Sequence, residues 1–430
     1  MVSTETLHHA FLKSSGACTD TRQLVAGGMF FALKGPNFNA NAFAQQALDG
    51  GCASVVVDDP SVVVDARFLL VPDVLKALQD LGRHHRRTFN MPIIAITGSN
   101  GKTTSKELVH AALSADRPTL ATSGNLNNHI GVPLTLLRLS NKHRIAIIEM
   151  GANKVGDIAE LVQIAEPTHG IITNIGRAHL EGFGSYEGVV TAKTEMYGFI
   201  HEHLGHLFVN ADDPLLMEKS AGMKRSTYGL TGSADLKVEE RSTAAYMGLA
   251  WVGTDGRKHE VVTKLVGGYN LPNAALAVAV ARHFGVADER IAMALAAYTP
   301  SNNRSQFLDT GRNQVIMDAY NANPSSMRAA LENFAAMVTD RPKLALLGGM
   351  KELGTFGPQE HQALVDKAHA LGIEAMFIGP EFAAIDAKGY KVFPDAAGAL
   401  LVLRNMALTG HTILLKGSRG TKLEILQPAL

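Results

Sequence analysis

The strongest constraint on this chain lies between residues 92 and 113. An apolar run, Ile93-Ile94-Ala95-Ile96, passes through Thr97 into Gly98-Ser99-Asn100-Gly101-Lys102-Thr103-Thr104, and helical spacing begins at Lys102. A strand that empties through a glycine-rich turn into a helix belongs to a parallel sheet with helices on its faces. Gly98 and Gly101 permit backbone angles that a side chain resists. The loop is therefore expected to turn N–H groups toward an anion, with the positive end of the following helix behind it. Lys102 is placed to neutralise ATP phosphates, and the Thr103 hydroxyl is placed to meet Mg2+. Only two residues separate the glycines, so the spacing departs from Gly-x4-Gly-Lys. The bland alternative is a tight strand-to-helix turn with an incidental lysine. The order strand, Gly-Lys-Thr, helix favours the phosphate loop.

The rest of the chain extends this pattern on both sides. Residues 29–33 and 53–57 read as strands, 42–48 as a helix between them and 74–87 as a helix with a basic end. In that end, Arg83, His84, His85, Arg86 and Arg87 offer an anion site or simply favour the helix C-terminus in water; the second is expected. After the glycine-rich loop, 145–148 and 171–174 are strand-like and 155–165 helical. Around 238–265 short alternating runs with a turn at Thr254-Asp255-Gly256 predict an antiparallel appendage, and 273–284 returns to helix. Pro300-Ser301-Asn302-Asn303 resembles a linker. Beyond it, strands at 315–317, 344–347, 375–378 and 413–415 alternate with helices at 326–337, 362–371 and 397–406. The expectation is an α/β protein of three domains: a small α/β domain over 1–88, a central parallel-sheet P-loop domain over 89–300 and a Rossmann-like domain over 301–430.

Composition removes other classes. Forty basic residues balance forty acidic ones, so no basic excess points to nucleic acid. The two cysteines, Cys18 and Cys52, are too few for a disulfide framework, which fits a reducing cytoplasm. The start of the chain lacks the pattern of a signal peptide, and no apolar stretch is long enough to span a bilayer. A cytoplasmic monomer is expected.

Candidate metal ligands follow the strands. Glu149 ends the run 145–148, at the carboxyl rim where open α/β sheets bind ligands, and Mg2+ prefers oxygen. His179 follows the next strand. Lys193, by itself, reads as an exposed helix lysine. His201-Glu202-His203-Leu204-Gly205-His206 imitates a zinc helix, but glycine stands where the second histidine of His-Glu-x-x-His belongs. It is read as a solvated segment without metal.

Several strings together resemble the Mur ligase family across nearly the whole chain. They are Thr97–Thr104; Gly124-Asn125-Leu126-Asn127-Asn128-His129-Ile130-Gly131; Glu149-Met150-Gly151-Ala152; Thr173-Asn174-Ile175-Gly176-Arg177-Ala178-His179; Asp318-Ala319-Tyr320-Asn321-Ala322-Asn323-Pro324; Gly348-Gly349-Met350-Lys351; and Lys416-Gly417-Ser418-Arg419. They are most similar to the branch that adds D-alanyl-D-alanine. The resemblance implies two Mg2+ ions, with Lys102, Thr103 and Glu149 at the phosphates and first metal. His179 would be a second-metal ligand. Lys193 would be an N-carbamate, supplying anionic oxygen where an ammonium would repel the metal. Gly98, Ser99, Asn100, Gly101 and Thr104 complete the ATP loop. Asn270 and Asn273 would lie near adenine, Arg304 at the phosphates, Asp318 near ribose, and Tyr320, Asn321 and Asn323 beside it. Asp20, Thr21, Arg22, Lys34 and Gly35 resemble the first-domain hold on the UDP end of the substrate, and Asn125 and Asn128 are expected to face substrate too. The implied partners are UDP-N-acetylmuramoyl-tripeptide and D-alanyl-D-alanine.

The rivals are a family member adding a single amino acid, a folate- or cyanophycin-type ligase, and a non-catalytic binder of UDP-sugar peptides. The absence of Asp-Asn-Pro-Arg, the character of the first domain, and the presence of Lys102, Glu149, His179 and Lys193 disfavour them in that order. Three domains converging on one site imply closure, with hinges near 89 and 300.

Overall fold

The computed structural model describes residues 1–177, 180–243, 246–301 and 303–430. His179 lies outside the described residues. Three sheets carry the fold, each in its own stretch of chain.

The first is four-stranded. Helix α1 (Thr4–Leu12) precedes β1 (Ala17–Cys18) and β2 (Met29–Phe31); a small hairpin, β3 (Lys34–Gly35) and β4 (Phe38–Asn39), leads to α2 (Ala44–Asp49), β5 (Ser54–Val57), β6 (Phe68–Leu70) and α3 (Val74–Arg87). The parallel order is β1-β2-β5-β6. Asp73 caps α3 by accepting from Lys76 N, an N-cap contact of about 1 kcal/mol. The basic end of α3 is only partly solvated, with Arg87 exposed and His85 buried. His85 is buried and hydrogen-bonds Leu139 O at 3.1 Å, Arg86 donates to the carbonyls of Ala165 and Glu166, and Arg87 pairs with the Glu166 carboxylate. Apolar spacing could not show this, because the partners lie more than fifty residues away. Leu137, Leu134 and Ile130 join the core of this first unit, and Gly82 sits so close to Pro133 that a Cβ would come within 2.8 Å. The joint near residue 89 is thus fastened by packing and hydrogen bonds.

The central sheet has nine strands. In chain order come β7 (Ile93–Thr97), α4 (Lys102–Ser114), β8 (Thr119–Ala121), α5 (Gly131–Leu136), β9 (Ile145–Glu149), α6 (Asp157–Ala165), β10 (His169–Ile172), α7 (Leu180–Phe183), α8 (Tyr186–Glu202), β11 (His206–Asn210), α9 (Pro214–Lys219), β12 (Arg225–Gly229), β13 (Leu236–Glu240), β14 (Gly248–Val252), β15 (Lys258–Val262), α10 (Leu271–His283) and α11 (Asp288–Ala297). The order is β15-β14-β13-β12-β11-β10-β7-β9-β8. All of β7 and β9 is buried, as strands covered on both faces must be. The stretch read as an appendage is the hairpin β14–β15 plus β13. It continues the same sheet, because β13 pairs in parallel with β12. Helix α10 is apolar nearly all round and almost wholly buried against α4, as a central helix should be. Of the false zinc motif, His201, Glu202 and His203 are exposed. His206 is buried in β11 beside His169 and His283, so only part of that segment is solvated.

The third sheet is mixed: β16 (Gln306–Asp309), β17 (Gln314–Asp318), α12 (Pro324–Ala336), β18 (Lys343–Gly348), α13 (Gly357–Ala370), β19 (Glu374–Ile378), β20 (Lys391–Phe393), α14 (Ala396–Met406) and β21 (Thr412–Lys416), in order β16-β17-β21-β18-β19-β20. Only β16 runs antiparallel. Among the described residues no helix is long and apolar enough to cross a membrane.

Candidate active site

The carboxyl ends of β7, β9 and β10 open into a cavity of about 670 Å³ that the third sheet closes from above. The phosphate loop forms its floor. Gly98 has φ +141° and a Cβ there would meet Thr173 Oγ1 at 2.0 Å; Gly101 has φ +77° and faces Asn273 Oδ1 at 2.7 Å. Neither position tolerates a side chain, in conformation or in space. The loop does not offer all its N–H groups to an anion, however. Ser99 N donates to Asn174 O and Asn100 N to Asn174 Oδ1, both at 3.0 Å. Asn174 therefore braces the first half of the loop, and the donors left for phosphate are those at the start of α4, where a helix has no acceptors of its own. Lys102 Nζ turns back onto Gly98 O at 2.6 Å and Ser99 O at 3.3 Å. Burial lowers its pKa, Glu149 opposing and Arg304 adding to the shift.

Glu149 is 1% exposed. Its Oε1 accepts from Thr103 Oγ1 at 3.2 Å and from Asn127 Nδ2 at 2.8 Å, while Oε2 has no hydrogen-bond partner among the described residues. A buried carboxylate oxygen left open in this way is costly unless something else binds it. Its setting, hard oxygen donors beside a phosphate loop, fits a Mg2+ ion.

Lys193 contradicts the reading of an exposed helix lysine. It is 2% exposed on α8, and desolvation, then the charge of Lys102, brings its amine down to about 7 against the pull of Asp157 and Glu195. Its spacing carries the signal: Val189, Ala192, Lys193, Met196, Tyr197 and Ile200 form one buried stripe of α8, and the charge of lysine alone argues for exposure.

Asn270 and Asn273 sit at the start of α10. Asn273 accepts from Ser105 Oγ at 3.0 Å and donates to Asn270, which donates to Val266 O. From the third sheet come Arg304, Asp318, Tyr320, Asn321 and Asn323. The Arg304 guanidinium lies 3.7 Å from the Tyr320 ring centroid, a cation–π contact. Asp318 accepts from Lys416 Nζ at 2.6 Å and from Ser305 N at 3.3 Å. Asn323 caps α12 and donates to Asn100 Oδ1 at 2.7 Å, joining the third sheet to the phosphate loop.

Ser99, Asn100, Gly101, Lys102, Thr103, Thr104, Glu149, Asn125, Asn128, Asn270, Asn273, Arg304, Asp318, Tyr320, Asn321 and Asn323 all line this cavity. Asn128 also accepts from Ile130 N and Gly131 N, in the turn that leads into α5. The first-domain residues stand apart from it. Asp20 caps a short turn and binds Arg22 through both oxygens, Thr21 lies in that turn, and Lys34 pairs with Asp58 beside Gly35. Sequence reasoning assigned no role to Asn127, Asn174 or Lys416. Their only signal was membership of the asparagine- and lysine-bearing strings at strand ends.

The Mur ligase middle domain matches residues 96–281 and the Mur ligase glutamate ligase domain matches 303–419. The chain belongs to the Mur ligase family. Within that family it is 33% identical to the UDP-N-acetylmuramoyl-tripeptide–D-alanyl-D-alanine ligase of Bacillus subtilis, covering 95% of this chain and 91% of the relative. It is 35% identical to the ligase of the same name from Escherichia coli, over 99% and 95%. The crystal structure of MurF from Acinetobacter baumannii superposes with a TM-score of 0.88 at 32% identity, covering 99% of this chain and 98% of that one. MurF from Thermotoga maritima in complex with ADP gives 0.85 at 26%, over 97% of each.

Proposed function

We propose that this protein joins D-alanyl-D-alanine to UDP-N-acetylmuramoyl-tripeptide at the expense of ATP, giving ADP, phosphate and the UDP-muramoyl-pentapeptide precursor of peptidoglycan. The observation that carries this reading is the meeting, in one cavity, of a phosphate loop, a buried carboxylate with an open oxygen, and an arginine from the segment just before the third sheet. A carboxylate does not react with an amine at neutral pH. Attack of the tripeptide carboxylate on the γ-phosphorus expels ADP and leaves an acyl phosphate. The dipeptide amine then attacks the carbonyl carbon, loses a proton, and inorganic phosphate departs. The first step gains mainly from positioning and from neutralising phosphate charge, the work of Lys102, the N–H groups at the start of α4 and Arg304.

Two Mg2+ ions fit this chemistry, neutralising phosphate oxygens. Thr103 and Glu149 would hold one; His179 and Lys193 would hold the other. A neutral amine is the form that takes up carbon dioxide, and a Lys193 amine held near 7 supports an N-carbamate at that position. Asn270, Asn273, Asp318, Tyr320, Asn321 and Asn323 are assigned to the nucleoside. Asp20, Thr21, Arg22, Lys34 and Gly35 are assigned to the UDP end, and Asn125 and Asn128 to the peptide. The working division is 1–88 for the UDP-substrate unit, 89–300 for ATP and 301–430 for the closing unit, acting as a cytoplasmic monomer.

The test is ADP release with tripeptide substrates carrying lysine or diaminopimelate, each with D-alanyl-D-alanine or with single amino acids. Release that requires the dipeptide supports the reading. Release with a single amino acid, and none with the dipeptide, contradicts it.

A further inference from the structure

We infer that Lys106 is a positioning residue for the Glu149 carboxylate, an inference that rests on the metal reading above. Lys106 lies one turn beyond Lys102 on α4, and its side chain is wholly buried. Its Nζ donates to Thr122 O at 2.6 Å, pairs with Glu107 Oε1 at 2.9 Å and stands 3.8 Å from Glu149 Oε2. Thr122, just past β8, is held at both ends. Its carbonyl takes Lys106, and its hydroxyl accepts the Glu149 N–H at 2.9 Å. Lys106 therefore ties α4, the helix that carries Lys102 and Thr103, to the strand end that carries Glu149. Phosphate loop and carboxylate share one spacing because one side chain spans them.

The choice of lysine has a physical reason. An apolar chain of equal length would fill the space without desolvating a charge, and lysine is almost never fully buried unless its donors are met. The distances rank its tasks. With Glu107 it makes an ion pair, and toward Thr122 O a hydrogen bond. Toward Glu149 Oε2 it is too far for one, so it compensates charge there without occupying the oxygen. Oε2 is left with no hydrogen-bond partner among the described residues, on a residue that lines the cavity. Glu107, the closer carboxylate, offsets the lysine charge, so the positional effect outweighs repulsion between Lys106 and a cation bound at Glu149.

The test is direct binding of Mn2+, a paramagnetic substitute for Mg2+, to the full-length protein with ADP present, the free ion being read by electron paramagnetic resonance. Lys106→Met is expected to weaken the Mn2+ site by about tenfold, the scale of losing a residue that orients a metal ligand, with ADP affinity in the absence of divalent ions kept within about twofold. Lys106→Gln, which keeps a donor for Thr122 O, should lose less, about threefold. If Lys106→Met does not fold, as judged by circular dichroism, Lys106→Gln decides: a loss of that size supports the proposal and wild-type affinity overturns it. Equal loss of metal-free ADP binding in Lys106→Met also overturns it, since that marks general loosening. A Mn2+ site removed by Glu149→Gln but intact in Lys106→Met sinks the role of Lys106 alone. No site removed by Glu149→Gln overturns the metal reading and this proposal together.

Discussion

At Lys193, charge and burial disagree. A buried lysine without a task is expensive, and this one carries an amine brought down to about 7 beside Lys102. If it bears a carbamate that holds the second metal, Lys193→Ala should lower turnover by about 10–100-fold, and added bicarbonate should not restore it. Near-normal turnover in a steady-state assay would remove Lys193 from the metal site. Lys102→Ala should reduce ADP release with all substrates present by about 10²–10³-fold, the scale of losing one preorganised charge partner at a transition state. Stopped assays over several hours would reveal any activity above that floor. At this scale the sequence was informative where chemistry is local. Gly98, Gly101, Lys102 and Thr103 announce themselves by spacing, and Glu149 by its place at a strand end. Asn127 and Asn174 carried no such signal, because their roles exist only once β9 and β10 stand on either side of β7.

Among the elements, long apolar runs were legible and short ones were not. Helix α3 was bounded at the residues the periodicity named, since Asp73 caps it and its apolar face repeats regularly. The two- and three-residue strands β1 and β6 are too brief to show a period, and exist because β2 and β5 offer them a ladder. The base of the central sheet holds a histidine cluster that only pairing of β10 with β11 creates. His169 is opposite His206, with His283 beside both. Burial brings His169 down to about 3 and His206 to about 4, the neighbouring histidines adding to both shifts, and lowers His283 as well. The folded values lie below the ordinary value of 6.5, so the unfolded chain binds more protons between those limits. Their contribution is intact above pH 6.5 and is lost as pH falls toward 4. The melting temperature should therefore drop between pH 7.5 and 5, by about 2–4 °C for each kcal/mol forfeited in a unit of this size. His169→Phe should flatten that slope. A melting temperature with the same pH slope in the variant would show that the cluster does not set it.

Over the whole molecule, the two inter-unit joints differ in kind. The first unit shares an apolar core with α5 and is pinned through His85, Arg86 and Arg87. The third unit meets the central one through polar contacts, Asn323 to Asn100, Asn333 to Gly268 N and Glu360 to Arg177, and through a few apolar ones, Val266 entering the third unit's core and Tyr246 lying against Phe307. The spacing of the domains suggested hinges at both 89 and 300. Packing favours motion at 300, since a joint of polar contacts with few apolar ones parts at less cost than the larger shared core at 89. Fluorescence energy transfer between labels on the first and central units should stay constant when ATP and substrates are added, and transfer between the central and third units should change. The reverse pattern would place the hinge at 89. Activation of the tripeptide carboxylate by ATP inside this cavity is the central step of the proposed reaction. Its most direct measurement uses tripeptide substrate labelled with ¹⁸O in the reacting carboxylate, with D-alanyl-D-alanine and ATP present. Released phosphate carrying one ¹⁸O atom for each pentapeptide formed is the expected result; unlabelled phosphate, with the displaced ¹⁸O atom found in AMP or in water, would contradict it.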